Sequence, residues 1–241
     1  MMQSIHLITY GNEMYEKSKK RLLAEATNSQ WFDTITICGP ETLTMPFKNE
    51  FREILNKPRG AGYWIWKFDI IKQQLNKLVY NDILVYTDAG CSINIHGETR
   101  FNEYIAILNK SNESIISFQM HHIDKKYTAK QLFCHFNMNV HDDNANSGQF
   151  MATIMIMKNT EKMMNIIDEC INVLRTDSLL VTDYYNTLGQ CDDFIDNRHD
   201  QSILSLVRKK CGSIIIPDET YFKPFGNKKS LRFPFWATRK R

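Results

Sequence analysis

Arg59-Gly-Ala-Gly-Tyr-Trp-Ile-Trp-Lys67, then a helix-like run, then Asp82-Ile-Leu-Val-Tyr-Thr-Asp88-Ala-Gly-Cys-Ser-Ile-Asn94 is the stretch around which the chain is organised. Asp82 to Tyr86 is a short apolar run bounded by Asn81 on one side and Ala89-Gly90 on the other. Runs of this kind are buried strands of an α/β sheet. Ligands of open α/β sheets bind just beyond the carboxyl ends of the strands, so Asp88 is expected at the edge where chemistry is done.

The pattern extends in both directions. Ser4 to Tyr10 reads as a strand ending in the turn Thr9-Tyr10-Gly11-Asn12. Glu13 to Asn28 has helical composition with Leu22, Leu23 and Ala26 on one face, and Phe32 to Cys38 is a second strand closed by Gly39-Pro40. The opening is β-α-β, which sets its two strands parallel through a right-handed crossover. Pro46 to Asn56 predicts a short helix. Tyr63 to Val79 predicts an amphipathic helix with Trp64, Phe68, Ile71, Leu75 and Leu78 on its stripe.

Glu98 to Leu108 reads as helix and Ser114 to Phe118 as strand. From Gln119 to Asn146 the sequence is polar and carries His121, His122, His135 and His141, with one weak helix around Ala129 to Phe133. A loop of that length is expected to act as a lid or binding loop. Gln149 to Met157 is strand-like, Glu161 to Leu174 and Ser178 to Leu188 read as helices, another helix opens at His199, and Ser213 to Ile216 is a last strand. Strands alternating with helices predict a three-layer α/β/α, Rossmann-like domain with a mostly parallel central sheet, and a single domain over 1–241.

Composition agrees with that class. With 43% hydrophobic and 24% charged residues the chain has enough apolar side chains for a sizeable core. The six cysteines are scattered without a close pair at metal-ligand or redox spacing, which predicts reduced thiols and a cytoplasmic protein. No signal peptide is visible, and no apolar run approaches the roughly 20 residues that span a bilayer. The net charge is only +3, but after Glu219 the chain has Lys223, Lys228, Lys229, Arg232, Arg239, Lys240 and Arg241 and no acid. Tyr221, Phe222, Phe225, Phe233, Phe235 and Trp236 are interleaved with these cations. This tail is a candidate for peripheral contact with anionic lipid or nucleic acid. The preferred reading is a solvated basic end whose aromatic residues pack on the domain, and no nucleic-acid partner is expected.

Three groups of residues carry chemistry. Asp88 suits a divalent metal or ribose hydroxyls, although Asp-Ala-Gly is also ordinary turn chemistry. Arg59 and Lys67 flank Tyr63, Trp64 and Trp66, a cationic and aromatic setting for phosphate or sugar. Trp64 belongs to the apolar stripe and is expected in the core; for Trp66, off the stripe, core and binding readings both stand. His199-Asp200-Gln201 opens a helix, where Asp200 is either a general base facing a cleft or a simple cap. Adjacent histidines such as His121 and His122 rarely converge on one ion. The absence of a Walker loop, a dinucleotide glycine motif, a Gly-x-Ser-x-Gly elbow and a His-Glu-x-x-His helix excludes the functions that depend on them.

The two quoted blocks, together with Arg198-His-Asp-Gln-Ser-Ile-Leu-Ser205, resemble small glycosyltransferase-like proteins of bacteria and large DNA viruses, relatives of the nucleotide-sugar-dependent transferases with the GT-A fold. The resemblance runs from about Thr9 to Ile216. It implies a nucleoside-diphosphate sugar donor, a glycan or other hydroxyl acceptor, and hexosyltransferase-like activity. It divides the chain into a donor half, 1–118, an acceptor half, 119–216, and the tail, 217–241. By the same resemblance Thr9, Tyr10 and Gly11 meet the nucleotide base. Arg59, Tyr63, Trp66 and Lys67 meet the diphosphate or sugar, and Asp88, Ala89 and Gly90 close the donor site. Gln149, His199, Asp200 and Gln201 lie toward the acceptor, with Asp200 as the base of an inverting enzyme. The family's Asp-x-Asp binds Mn²⁺ or Mg²⁺. Here Asp88 matches the first acid and Gly90 stands in place of the second, so the implied metal has lost a ligand. That loss also motivates the alternative of a non-catalytic sugar- or nucleotide-binding module on a decayed transferase fold.

Overall fold

The computed structural model describes residues 3–240, so Met1, Met2 and Arg241 of the sequence reading lie outside the described residues. The strands are β1 (Ile5–Tyr10), β2 (Thr34–Cys38), β3 (Ile83–Thr87), β4 (Ser92–Ile93), β5 (Ile115–Ile123), β6 (Gly148–Phe150), β7 (Ile154–Lys158), β8 (Ile214–Pro217) and β9 (Phe235–Trp236). Seven of them form one sheet in the order β2-β1-β3-β7-β5-β6, with β8 also on β5. β1, β2 and β3 are mutually parallel, β7 runs against both β3 and β5, β8 is parallel to β5, and β6 is antiparallel to it. Five strands therefore share one direction and only β6 and β7 oppose it, as a mostly parallel sheet requires.

Strand alternation builds the two outer layers. Ile8, Leu84, Tyr86, Met155 and Met157 face one core, covered by the helices Trp66–Leu75, Glu161–Thr176 and Asp200–Cys211 through Phe68, Ile71, Ile166, Ile167, Ile203 and Leu206. Leu7, Ile83, Val85, Ile154 and Ile156 face the other, covered by Glu16–Ser29 and Glu98–Lys110 through Leu22, Ala26, Phe101, Tyr104 and Leu108. Both cores are almost free of solvent, and this is the three-layer arrangement that the sequence pattern predicts.

Several local expectations are corrected. The helix expected from Tyr63 begins at Trp66, because Ala61, Gly62, Tyr63 and Trp64 all have positive φ and cannot continue a right-handed helix. The helix expected over Pro46 to Asn56 is two pieces, Met45–Glu50 and Arg52–Leu55, and that over Ser178 to Leu188 is two short 3-10 turns. The region 119–146 is not a free lid. β5 continues to Ile123, and three short helices follow whose Leu132, Phe133 and Ala145 are fully buried.

This region is tied down by buried polar groups. Asp124 is completely buried and accepts from Thr128 Oγ1 (2.8 Å), Gln149 Nε2 (3.0 Å) and Ser205 Oγ (2.6 Å), with Lys209 Nζ at 2.7 Å. Arg208, equally buried, donates to the carbonyls of Phe150 (3.1 Å) and Met151 (2.8 Å), fixing the segment that links β6 to β7. Burial lowers its pKa to about 10. Arg208→Leu leaves both carbonyls without that donor and is expected to cost about 1–3 kcal/mol, read as a fall in thermal midpoint of roughly 2–4 °C per kcal/mol. An unchanged midpoint contradicts this role.

Candidate active site

Tyr86 and Asp88 are two residues apart on one strand direction, so both turn to the same face at the carboxyl edge of β3. There the Tyr86 hydroxyl donates to Asp88 Oδ1. Lys67, in the first turn of the helix Trp66–Leu75, extends beneath them, with Nζ 5.0 Å from the centre of the Tyr86 ring. Its ammonium lies 2.5 Å from Asp200 Oδ2, 3.6 Å from Asp88 Oδ1 and 3.1 Å from the Ala152 carbonyl. The side chains of Lys67 and Asp200 are 3% and 7% exposed, that of Asp88 33%, so one buried cation holds two carboxylates, of which Asp88 is the more open to the cavity.

The electrostatics follow from that geometry. Burial raises the Asp200 carboxyl to about 6, and Lys67 offsets only part of the effect. For Lys67, burial alone acts downward, but the attraction of Asp200 and Asp88 outweighs it and the pKa is raised. Near neutral pH the pair is therefore ionised on both sides.

The glycine-rich loop forms a second wall. Gly62 has φ +96°, and a Cβ on it meets Leu55 Cα at 2.7 Å, so glycine is required. The turn presents Trp64 to the cavity and lets Trp66 go inward, stacked on Tyr10 at 3.8 Å between ring centres with its indole N–H on the Gly60 carbonyl. Burial raises the Tyr10 hydroxyl to about 12. Trp64 packs over His199, whose rings lie 5.6 Å apart. His199 has φ +57°, an unfavourable value for a non-glycine residue. Its Nδ1 lies 2.8 Å from the Val181 carbonyl, so Nδ1 carries the hydrogen, and the buried Nε2 has no hydrogen-bond partner among the described residues. Burial lowers its pKa and favours the neutral ring.

The third wall is the tail. β9 pairs antiparallel with β4, Lys240 N–H donates to the Gly90 carbonyl (2.9 Å), and Ser18 Oγ donates to the Lys240 carbonyl (3.1 Å). Phe235 is 1% exposed and Trp236 donates to the Ser230 carbonyl, so these aromatic residues pack on the domain, the preferred of the two readings of the tail. Its last described residues, Arg239 and Lys240, line the cavity. Together these walls enclose about 770 Å³ beyond the carboxyl ends of β1 and β3.

No protein-family model matches the chain, and no curated protein matches it. Solved structures do. A glycosyltransferase involved in glycosylation of the major capsid of PBCV-1 is similar over 97% of this chain and 92% of its own, with a TM-score of 0.54 and 12% identity. The bifunctional glycosyltransferase WbbM is similar over 92% of this chain, with a TM-score of 0.54 and 11% identity; that match spans 40% of WbbM. The chain has a GT-A glycosyltransferase-like fold. At these identities it is the fold that is shared, and function must be argued from the site.

On this GT-A-like fold, Tyr10, Gly11, Arg59, Trp66, Lys67, Asp88, Ala89, Gly90, His199, Asp200 and Gln201 all border the cavity. Three expected residues are elsewhere. Thr9 is fully buried in β1, Tyr63 is turned to Asp183 through its hydroxyl (3.2 Å), and Gln149 is fully buried, where its carbonyl accepts from Gln201 (2.6 Å). Gln149 thus positions Gln201 and does not reach the cavity. Arg59 makes two 3.0 Å bonds to Asp183, which engages its charge at the rim. Trp64, expected in the core, is half-buried on the cavity wall, and Arg198, Arg239 and Lys240 line the cavity too, the last two signalled in the sequence only by the acid-free tail.

The residues present do not by themselves make a site that could hold a divalent metal. Asp88 supplies one carboxylate, which already accepts from Tyr86, and Asp200 is held by Lys67. Gly90 adds no ligand, and among the described residues no group of three His, Cys, Asp or Glu side chains converges on a point.

Proposed function

We propose that the protein is a glycosyltransferase that moves a sugar from a nucleoside-diphosphate donor to a hydroxyl of a glycan or similar acceptor. The observation that carries this reading is the buried Lys67 that binds both Asp88 and Asp200 at the base of a cavity on the GT-A-like fold. In the reaction the bond from the anomeric carbon to the diphosphate oxygen breaks with its electron pair leaving on the diphosphate. A bond from the acceptor oxygen forms, and the acceptor proton passes to a base. Asp200 suits that base: its pKa near 6 makes it more basic than an ordinary carboxylate yet leaves it ionised at neutral pH. Asp88, a third exposed, suits the donor's ribose or sugar hydroxyls, and the Trp64 face suits a sugar ring or base.

A screen of nucleoside-diphosphate sugars against the purified protein, following release of the nucleoside diphosphate, is expected to identify one donor that turns over. Asp88→Asn is expected to weaken its binding about tenfold, the scale of a lost hydrogen bond to a charged group. A donor that binds but never turns over with any acceptor supports the binding-module alternative. If no donor binds, the glycosyltransferase reading fails.

A further inference from the structure

A diphosphate leaving group concentrates negative charge, and a transferase needs positive groups placed where that charge develops. Two cations expected from sequence to serve are already engaged. Lys67 is buried against two carboxylates, and Arg59 is paired with Asp183. Arg239 and Lys240 are exposed, line the same cavity, and have no ion-pair partner among the described residues.

Their backbone is fixed in place. Besides the bonds of Lys240, Thr238 Oγ1 donates to the Gly90 carbonyl (2.8 Å) and sits 3.1 Å from Ser92 Oγ, while Arg21 clasps the carbonyls of Ala89 (3.0 Å) and Cys91 (2.8 Å). A Cβ at position 90 lies 3.3 Å from both Arg239 Cα and the Lys240 carbonyl oxygen, a tight approach, so a side chain at 90 would press against the tail backbone.

The geometry points to Arg239 and Lys240 as the groups that neutralise the diphosphate of the donor, in place of a divalent cation. The inference rests on the proposed donor site and adds how its phosphates are held. Arginine offers a fork of donors for phosphate oxygens and lysine a compact charge, and both stand beside the Asp88-Ala89-Gly90 edge where the rest of the donor is expected.

Titration calorimetry with UDP, GDP and the corresponding nucleosides, in EDTA and in Mn²⁺, tests this. The nucleoside diphosphate that binds is expected to do so with the same Kd, within about twofold, in both buffers. Arg239→Gln with Lys240→Gln is expected to weaken it by about tenfold or more, leaving the thermal midpoint and the affinity for the bare nucleoside unchanged. Arg239→Lys with Lys240→Arg keeps both charges and is expected to retain most of the affinity. Gly90→Asp is expected to weaken binding and to confer no Mn²⁺ dependence. Binding that requires Mn²⁺, or an unchanged Kd in the double glutamine variant, overturns the role of the tail while leaving the glycosyltransferase reading intact. If neither nucleoside diphosphate nor any donor sugar binds in either buffer, both fall.

Discussion

Lys67→Met is expected to destabilise the fold by about 3–5 kcal/mol at pH 7, because it leaves Asp200 buried without its cation. Asp200 is 7% exposed at its side chain, and the ammonium 2.5 Å away is its ion-pair partner. Without Lys67 the carboxyl is pushed further above its unfolded value, since the raising effect of burial is no longer opposed. The folded state then holds a proton that the unfolded state releases, so stability falls as pH rises between the two pKa values. The deficit is therefore larger at pH 8 than at pH 5. Lys67→Met combined with Asp200→Asn removes both charges and is expected to recover most of the loss, without restoring activity. Chemical denaturation of the two variants at both pH values measures each part, and a single variant as stable as the parent protein rules out an energetically important pair.

The second large effect concerns chemistry. Asp200→Asn keeps the shape and removes the base, and is expected to lower kcat by about 10²–10⁴-fold with binding of the nucleoside diphosphate within about twofold. In the parent protein kcat/KM is expected to decline as pH drops through about 6, where Asp200 takes up a proton. The variant is expected to lose that acid limb. Near-normal turnover in the variant removes Asp200 from the role of base, whereas a matching loss of nucleotide affinity assigns it to donor binding instead.

The two tryptophans show how local reading goes astray. Counted at helical spacing, Trp64 falls on the apolar stripe and Trp66 off it. In the structure Trp66 is 5% exposed and stacked on Tyr10, while Trp64 is half-buried on the cavity wall. The spacing argument assumes one continuous helix, and the left-handed residues from Ala61 to Trp64 break it. Gln149 misled for a related reason. A polar residue entering a strand looks available, but it is turned into a buried network with Asp124, Thr128 and Gln201.

What the sequence by itself determined is the α/β layering and the position of Asp88, because strand alternation, glycine turns and the placement of a strand's end are local properties written within a few residues. Tertiary structure alone decided which charges meet. Lys67 finds Asp200 across 133 positions, and the Gly90 carbonyl meets Thr238 across 148. No local pattern encodes such pairings, since they arise only when helices and strands distant in the chain are brought to one edge of the sheet. That edge turned an acid at the end of β3 and a basic tail, separately ambiguous, into adjoining parts of one cavity.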